Sequence, residues 1–262
     1  MTNLSAAVEI QGLQMRYSNG HQALAGVDLR VDSGQLVALV GANGAGKSTL
    51  LRCLIRLQEP TAGQARIGGA EVTGVGGRAL RRIRRDVGFV FQRFNLVDRL
   101  SAFRNVVNGA VAREGTRCVV PALVPSEVRL EAMECLARVG LADLADRRVD
   151  RLSGGQQQRV AIARSLMQRP KLILADEPVA SLDPVAGQGV MELLRDVATE
   201  RGITVIAALH QVEFALEHTE RIIGLKAGRI VLDQAASLTS AGDLAEFYGA
   251  GLEHERKLEK AS

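Results

Sequence analysis

One short stretch, GANGAGKST at residues 41–49, leaves this chain few folds to choose from. It matches the pattern G-x-x-x-x-G-K-[ST] in full, and it lies between an apolar run of strand length, LVALV, and the helix-like TLLRCLIRL. Strand, glycine-rich loop and helix in that order build a phosphate-binding loop, which calls for an α/β fold with a parallel sheet. Gly41, Gly44 and Gly46 let the backbone of the loop, with Ala42, Asn43, Ala45 and Thr49, turn its N–H groups inward around phosphates. Lys47 adds a point charge for the β- and γ-phosphates, and the Ser48 hydroxyl is placed to ligate Mg2+.

Four apolar runs of strand length each end in a residue with chemistry. LVALV runs into Gly41, VGFVF into Gln92, LILA into Asp176 and ITVIAAL into His210. Buried parallel strands read as such runs, and ligands of α/β sheets collect beyond the strands' carboxyl ends. The four endings together point to one site along one sheet edge. A phosphate-loop enzyme needs a carboxylate near its metal, and Asp176 is placed for that role, with Glu177 beside it to orient or deprotonate an attacking water. Taken singly, Gln92 and His210 read equally as hydrogen-bonded structural residues.

A second anion site is written in LSGGQQQRVAIAR, residues 152–164. Ser153 can cap a helix, and Gln156, at the third helical position, completes a capping box. Gly154 and Gly155 expose N–H groups at the helix start, where the helix dipole adds partial positive charge. A well-capped ordinary helix explains the serine and the glutamine but not two glycines in its first turn.

The chain has 262 residues, enough for one large domain or a domain with an inserted lobe. Apolar residues make up 47% and charged residues 24%, a globular rather than a disordered balance. No apolar run approaches the ~18 residues of a membrane span. The start, MTNLSAAVEIQ, lacks the basic region and apolar stretch of a secretion signal, so a chain that does not cross a membrane alone is expected. Three widely spaced cysteines, Cys53, Cys118 and Cys135, argue against a disulfide framework or a cysteine metal site and suit a reducing cytosol. The four histidines are scattered and give no metal site. Net charge is +4, and the densest basic stretch is RALRRIRRD at 78–86. With no Trp and few aromatics to stack on bases, a solvated or membrane-facing helix face is favoured there over nucleic acid. Apolar spacing predicts helices over about 128–144 and 156–167, and RIIGLKAGRIVLD predicts a hairpin around Lys226, Ala227 and Gly228. Residues 113–125 read as an irregular connection, and residues 251–262 as a loosely held polar tail.

Taken in order, GANGAGKS, Gln92, LSGGQ, LILADEP, SLD at 181–183 and His210 resemble an ATP-binding-cassette ATPase over essentially the whole chain. LSGGQ is the most specific of these, because other phosphate-loop families lack it. The resemblance implies a phosphate-loop NTPase core with a mostly parallel sheet, an N-terminal antiparallel β subdomain and an inserted helical subdomain. It implies one cassette domain over 1–262, with 1–92 and 152–262 as nucleotide-binding core and 93–151 as the helical subdomain that carries the signature at its end. In such proteins the signature helix of one subunit caps the γ-phosphate held by the other subunit's phosphate loop, so two copies sandwich two ATP molecules. The resemblance gives Tyr17 the stacking contact with adenine, Glu177 the role of catalytic carboxylate and His210 the γ-phosphate contact. Gln92 would sense Mg2+ and couple the site to a membrane partner, and Ser48, Gln92 and Asp176 would surround the metal. Ser153, Gly154, Gly155 and Gln156 would face the partner's nucleotide, and Asp183 would lie on the loop that crosses the dimer interface.

No fused permease is expected in a chain this short, which among cassette proteins favours a separate importer subunit in prokaryotic style over a fused exporter. Its place would be the cytoplasmic face of the inner membrane, bound peripherally to permease subunits that a solute-binding protein serves. FQRFNLVDRLSAFRNV, ADEPVASLDP and LHQVEFALEHTERIIGLKAGRIVLD are similar to the ATPase of phosphonate importers. LHQV is the most telling, since many relatives place an acidic residue directly after that histidine. Ala208 stands where that group has a polar residue, often Asn, and residues 113–125 depart from its pattern. The expected cargo is phosphonate or a related phosphorus oxyanion, with a polar amino acid as the alternative. A soluble cassette acting on DNA or ribosomes would need a coiled-coil insertion or a second cassette, and no nucleic-acid partner is expected. A GTPase or nucleotide kinase has no use for LSGGQ, and no N-K-x-D motif is present. Phe94, Leu96 and Val97, after Gln92, resemble the family's groove for a permease helix, with core packing as the alternative reading.

Overall fold

Every residue of β3 (Leu36–Val40) is buried, and so is every residue of β6 (Val87–Val90), β7 (Leu172–Asp176) and β8 (Thr204–Leu209). That is the burial of a sheet covered on both faces. The computed structural model describes residues 6–244 and 246–248. In it these strands join β9 (Arg221–Lys226) and β10 (Arg229–Ala235) in a six-stranded sheet of order β10-β9-β3-β8-β7-β6. All neighbours pair in parallel except β10, which returns antiparallel to β9. The hairpin turn falls at Ala227 and Gly228, both with positive φ, 47 and 71, the backbone that a two-residue turn demands.

A second, antiparallel sheet of order β2-β1-β4-β5 is built from β1 (Ala6–Arg16), β2 (Gln22–Asp32), β4 (Ala62–Ile67) and the short β5 (Ala70–Glu71). Its strands alternate buried and exposed positions, since only one face meets the core. The helices are α1 (Lys47–Leu54), α2 (Gly77–Arg85), α3 (Ala102–Asn108), α4 (Val111–Glu114), α5 (Ser126–Arg138), α6 (Gly154–Leu166), α7 (Pro184–Arg201) and α8 (Val212–His218).

The two-residue period of β3 divides the core in two. Val37 and Leu39 face the antiparallel sheet, α1 and α2, with Phe89, Leu174, Ile206 and Ile223 from neighbouring strands. Leu36, Ala38 and Val40 face the other way, into a larger cluster with α3, α5, α6, α7 and α8. Ala208 lies fully buried on the first of these faces. An amide there would need hydrogen-bond partners inside an apolar layer, a requirement alanine does not impose.

Three expectations are refined. Helix α5 ends at Arg138 instead of continuing to Leu144, because Gly140 takes a left-handed φ of 70 just past the helix end. A separate 3-10 turn then covers Ala142–Leu144. Residues 113–125 are largely irregular as read, but two 3-10 turns, Thr116–Cys118 and Pro121–Leu123, tuck Cys118 and Val124 into the core. The arginine-rich stretch is α2, whose Leu80 and Ile83 are buried while Arg78, Arg81 and Arg82 stay exposed. The tail at 251–262 lies outside the described residues. Among the described residues no helix is long and apolar enough to cross a membrane.

All three cysteines are free and buried. Burial pushes the Cys53 thiol up to about 12 and the Cys135 thiol up to about 11, so neither supplies thiolate near neutral pH. A disulfide-exchange thiol reagent is expected to find no reactive thiol in the native protein and all three after unfolding; rapid native labelling would contradict this packing.

Candidate active site

The four strand endings meet. Because β3, β8, β7 and β6 are adjacent and parallel, Gly41, His210, Asp176 with Glu177, and Gln92 emerge in a row at one carboxyl edge. The loop between β3 and α1 is wedged in place there. A Cβ on Gly41 would lie 2.3 Å from the Leu225 carbonyl oxygen of β9, and one on Gly46 would lie 2.4 Å from the Ala23 carbonyl oxygen of β2. Both glycines also hold positive φ, 155 and 108. The Gly228 N–H donates to the Ala45 carbonyl at 3.0 Å, which ties the loop to the hairpin turn as well.

Lys47 is buried, and its ammonium donates to the carbonyls of Gly41 at 2.6 Å and Ala42 at 3.1 Å. Burial pushes its pKa down, against the upward pull of Glu177 and Asp176. Asp176 is 0% exposed and both its oxygens are engaged. Oδ1 accepts from the Ser48 hydroxyl at 2.6 Å, and Oδ2 accepts from the Arg52 guanidinium at 3.1 Å. The Arg52 contact escaped sequence reasoning. Its signal was the spacing, because Ser48 and Arg52 are four apart on α1 and project to one side.

Ser48 and Asp176 form an oxygen-only donor pair of the kind a hard divalent cation takes, with phosphate oxygens and water filling the rest of the shell. Among the described residues no group of three or more His, Cys, Asp and Glu gathers to hold a metal by itself. The residues therefore fit a cation that arrives with a phosphate.

Glu177 has a φ of 53, an uncommon backbone for a side chain of this kind and one that clusters at functional sites. Turned this way, its carboxylate is shared. Gln92 Nε2 donates to it at 2.6 Å, and His210 Nε2 lies against the other oxygen. Both strand-end residues thus engage the same carboxylate. Tyr17 sits across the loop, where its hydroxyl bonds the Thr49 hydroxyl at 3.0 Å and accepts from Gln58 at 2.8 Å. Its ring stacks on His21 with centroids 6.2 Å apart. Tyr17, His21 and Ala23, loop residues from Asn43 to Thr49, and Glu177 line a cavity of about 240 Å3. His21 and Ala23 were not legible, since nothing in the local sequence shows that the β1–β2 turn folds over the loop.

Ser153, Gly154, Gly155 and Gln156 do not line this cavity. They start α6, where the capping box forms: Ser153 Oγ accepts the Gln156 N–H at 3.3 Å, and Gln156 Oε1 accepts the Ser153 N–H at 3.0 Å. Asp183 caps α7, accepting the Ala186 N–H at 3.0 Å. The turn before it lies against the signature glycines, so that a Cβ on Gly154 would sit 3.6 Å from Leu182. Farther along α6, the Arg164 guanidinium donates to the carbonyls of Phe94 and Asn95. Those two residues hold left-handed φ of 55 and 50, a strained double turn that begins two residues after Gln92. Leu96 packs partly against the larger core, while Val97 is 50% exposed.

Residues 24–180 match the family model described as ABC transporter. The chain is 48% identical to the phosphonates import ATP-binding protein PhnC of Thiobacillus denitrificans, covering 98% of each chain. It is 44% identical to the protein of that name from Staphylococcus aureus strain USA300, covering 96% of this chain and 98% of the relative. Among solved structures, the dimeric ATP-binding cassette MJ0796 in a post-hydrolysis state with ADP and Pi is 37% identical with a TM-score of 0.78, over 87% of this chain and 98% of that one. CbiO1 from Clostridium perfringens, part of the transporter complex cbiONQ, is 28% identical with a TM-score of 0.80, over 98% of this chain and 99% of that one.

Arg52→Gln leaves one oxygen of a fully buried carboxylate without its cation. The expected loss is about 1–3 kcal/mol of unfolding free energy, read from urea denaturation, with Arg52→Lys recovering part of it. Unchanged stability in Arg52→Gln would mean that the ion pair contributes nothing.

Proposed function

Because the chain belongs to the ABC transporter family, we propose that it is the ATP-hydrolysing subunit of an importer for phosphonate or a related phosphorus oxyanion. The observation that carries the cargo is likeness along 98% of the chain to a protein named for phosphonate import. The observation that carries the chemistry is the single sheet edge shared by the phosphate loop, Asp176, Glu177, Gln92 and His210.

In this reading residues 1–92 and 152–262 are the nucleotide-binding core and 93–151 the helical subdomain. ATP lies along the loop, with its adenine on Tyr17 and its phosphates among the N–H groups of residues 41–49. Lys47 gives its charge to the β- and γ-phosphates. Ser48 and Asp176 would hold Mg2+, with Gln92 beside it, and the bound ion would neutralise charge on the phosphate oxygens. Glu177 takes the proton of the attacking water, and the contacts from Gln92 and His210 keep its carboxylate aimed. In this reading His210 also contacts the γ-phosphate.

The capped start of α6 does not line this cavity, which supports a second copy as its client. Ser153, Gly154, Gly155 and Gln156 then cap the γ-phosphate bound by the partner, and Asp183 sits at the crossing. The cassette MJ0796 has been solved as a dimer in a post-hydrolysis state bound to ADP and Pi. Permease subunits dock beside Gln92, at Phe94, Leu96 and Val97, and hold the chain on the cytoplasmic face of the membrane. A solute-binding protein delivers the cargo to the permease.

Glu177→Gln is expected to bind ATP and nearly cease hydrolysis, because an amide cannot take the water's proton; hydrolysis near the wild-type rate would remove Glu177 from the role of base. The same variant is expected to dimerise with ATP and not with ADP in light scattering. Shifting an equilibrium from 1:99 to 99:1 takes about 5.5 kcal/mol, and charge-assisted hydrogen bonds contribute roughly 1.5–3 kcal/mol each. A few such bonds at two γ-phosphates reach that scale, and a variant that stays monomeric with ATP would overturn the sandwich.

The cargo is tested by reconstituting the chain with the permease and solute-binding protein of a phosphonate importer. Methylphosphonate or phosphite should stimulate hydrolysis and amino acids should not. Stimulation by an amino acid alone would leave the ATPase standing and remove the phosphonate reading.

A further inference from the structure

The last described residues reach back to the phosphate loop. Leu244 is fully buried in the larger core, and Phe247 and Tyr248 pack against that core with their rings edge to face at 5.3 Å. Phe247 finds room because β9 carries Gly224 beneath it, where a Cβ would stand 3.0 Å from the ring. This seating brings the Tyr248 hydroxyl to 3.2 Å from the backbone nitrogen of Gly41, whose N–H donates to it. The carbonyl of Gly41 in turn accepts from the Lys47 ammonium at 2.6 Å. One glycine, with no room for a side chain of its own, therefore holds Tyr248 on one side and the loop lysine on the other. Burial pushes the Tyr248 phenol above its usual pKa, so it stays neutral and keeps its proton through the physiological range.

We propose that Tyr248 is a positioning residue for nucleotide binding. It touches Gly41 and is not among the residues that line the cavity. By fixing Gly41 it sets the carbonyl against which the Lys47 ammonium is placed, so the grip on phosphate depends on the C-terminal segment being seated on β9. The inference rests on reading residues 41–49 as the ATP loop.

Tyr248→Phe keeps the ring and its packing, removes the hydroxyl and leaves the Gly41 N–H without its acceptor. The expected result is a rise in Kd for both ATP and ADP by roughly two- to tenfold, the scale of one neutral hydrogen bond. Turnover at saturating ATP should stay within about twofold of wild type, since a uniform binding contact moves KM and not kcat. Tyr248→Ala, which also loses the ring, should bind more weakly still and melt earlier than Tyr248→Phe, whose loss of stability is confined to the one unpaired N–H. Wild-type Kd values in Tyr248→Phe would overturn the proposal, because packing alone would then account for any loss in Tyr248→Ala. A wild-type chain that binds no ATP would instead overturn the reading of the loop, and the two failures are told apart by the wild-type measurement alone.

Discussion

The absence of space at Gly41 and Gly46 governs the rest of the structure. At both points the loop backbone presses against a carbonyl of another strand, β9 in one case and β2 in the other. The loop thereby becomes the joint between the parallel sheet and the antiparallel one, and it can only take its course when both are in place. Its burial has an electrostatic consequence. Lys47 enters a buried position, and its charge is kept in use by backbone carbonyls and by Asp176 and Glu177 nearby. Packing that tolerates no methyl group and a charge that tolerates no isolation are two sides of the same confinement.

The site is organised around carboxylates that are never left to themselves. Asp176 is divided between a hydroxyl from the first turn of α1 and a guanidinium from its last. Glu177 is divided between Gln92 and His210, which arrive from strands on either side of β7. Buried polar groups are stable only when partnered. A sheet edge supplies such partners because each strand delivers its last residue to the same line.

Much of this edge was legible in the sequence, for a physical reason. Parallel strands are written as continuous apolar runs, so the residue that ends each run declares itself, and LVALV, LILA and ITVIAAL did so without any knowledge of strand order. The capping box at Ser153 and Gln156 was equally local and formed as read. What escaped was whatever depends on meetings between distant segments. His21 folds over the loop from a turn, Arg52 crosses to a strand more than a hundred positions away, and Arg164 ties α6 to the turn after Gln92. The extra length given to α5 was a different miss. Apolar spacing continued past Arg138, but Gly140 ended the helix because its left-handed backbone competes with periodicity and wins.

The alternation along β3 carries a consequence for descent. Leu36, Ala38 and Val40 serve one core and Val37 and Leu39 the other, and β8 and β7 follow in matching register, with Asp176 paired to Ala208. Losing or gaining a single residue inside one of these strands would exchange its two faces, and in β7 it would carry the carboxylate away from Ser48. Within β3, β7 and β8 this architecture therefore tolerates changes of letter better than changes of number. Differences in length must be absorbed where no partner strand keeps count, and residues 113–125, held by two short 3-10 turns, are such a place.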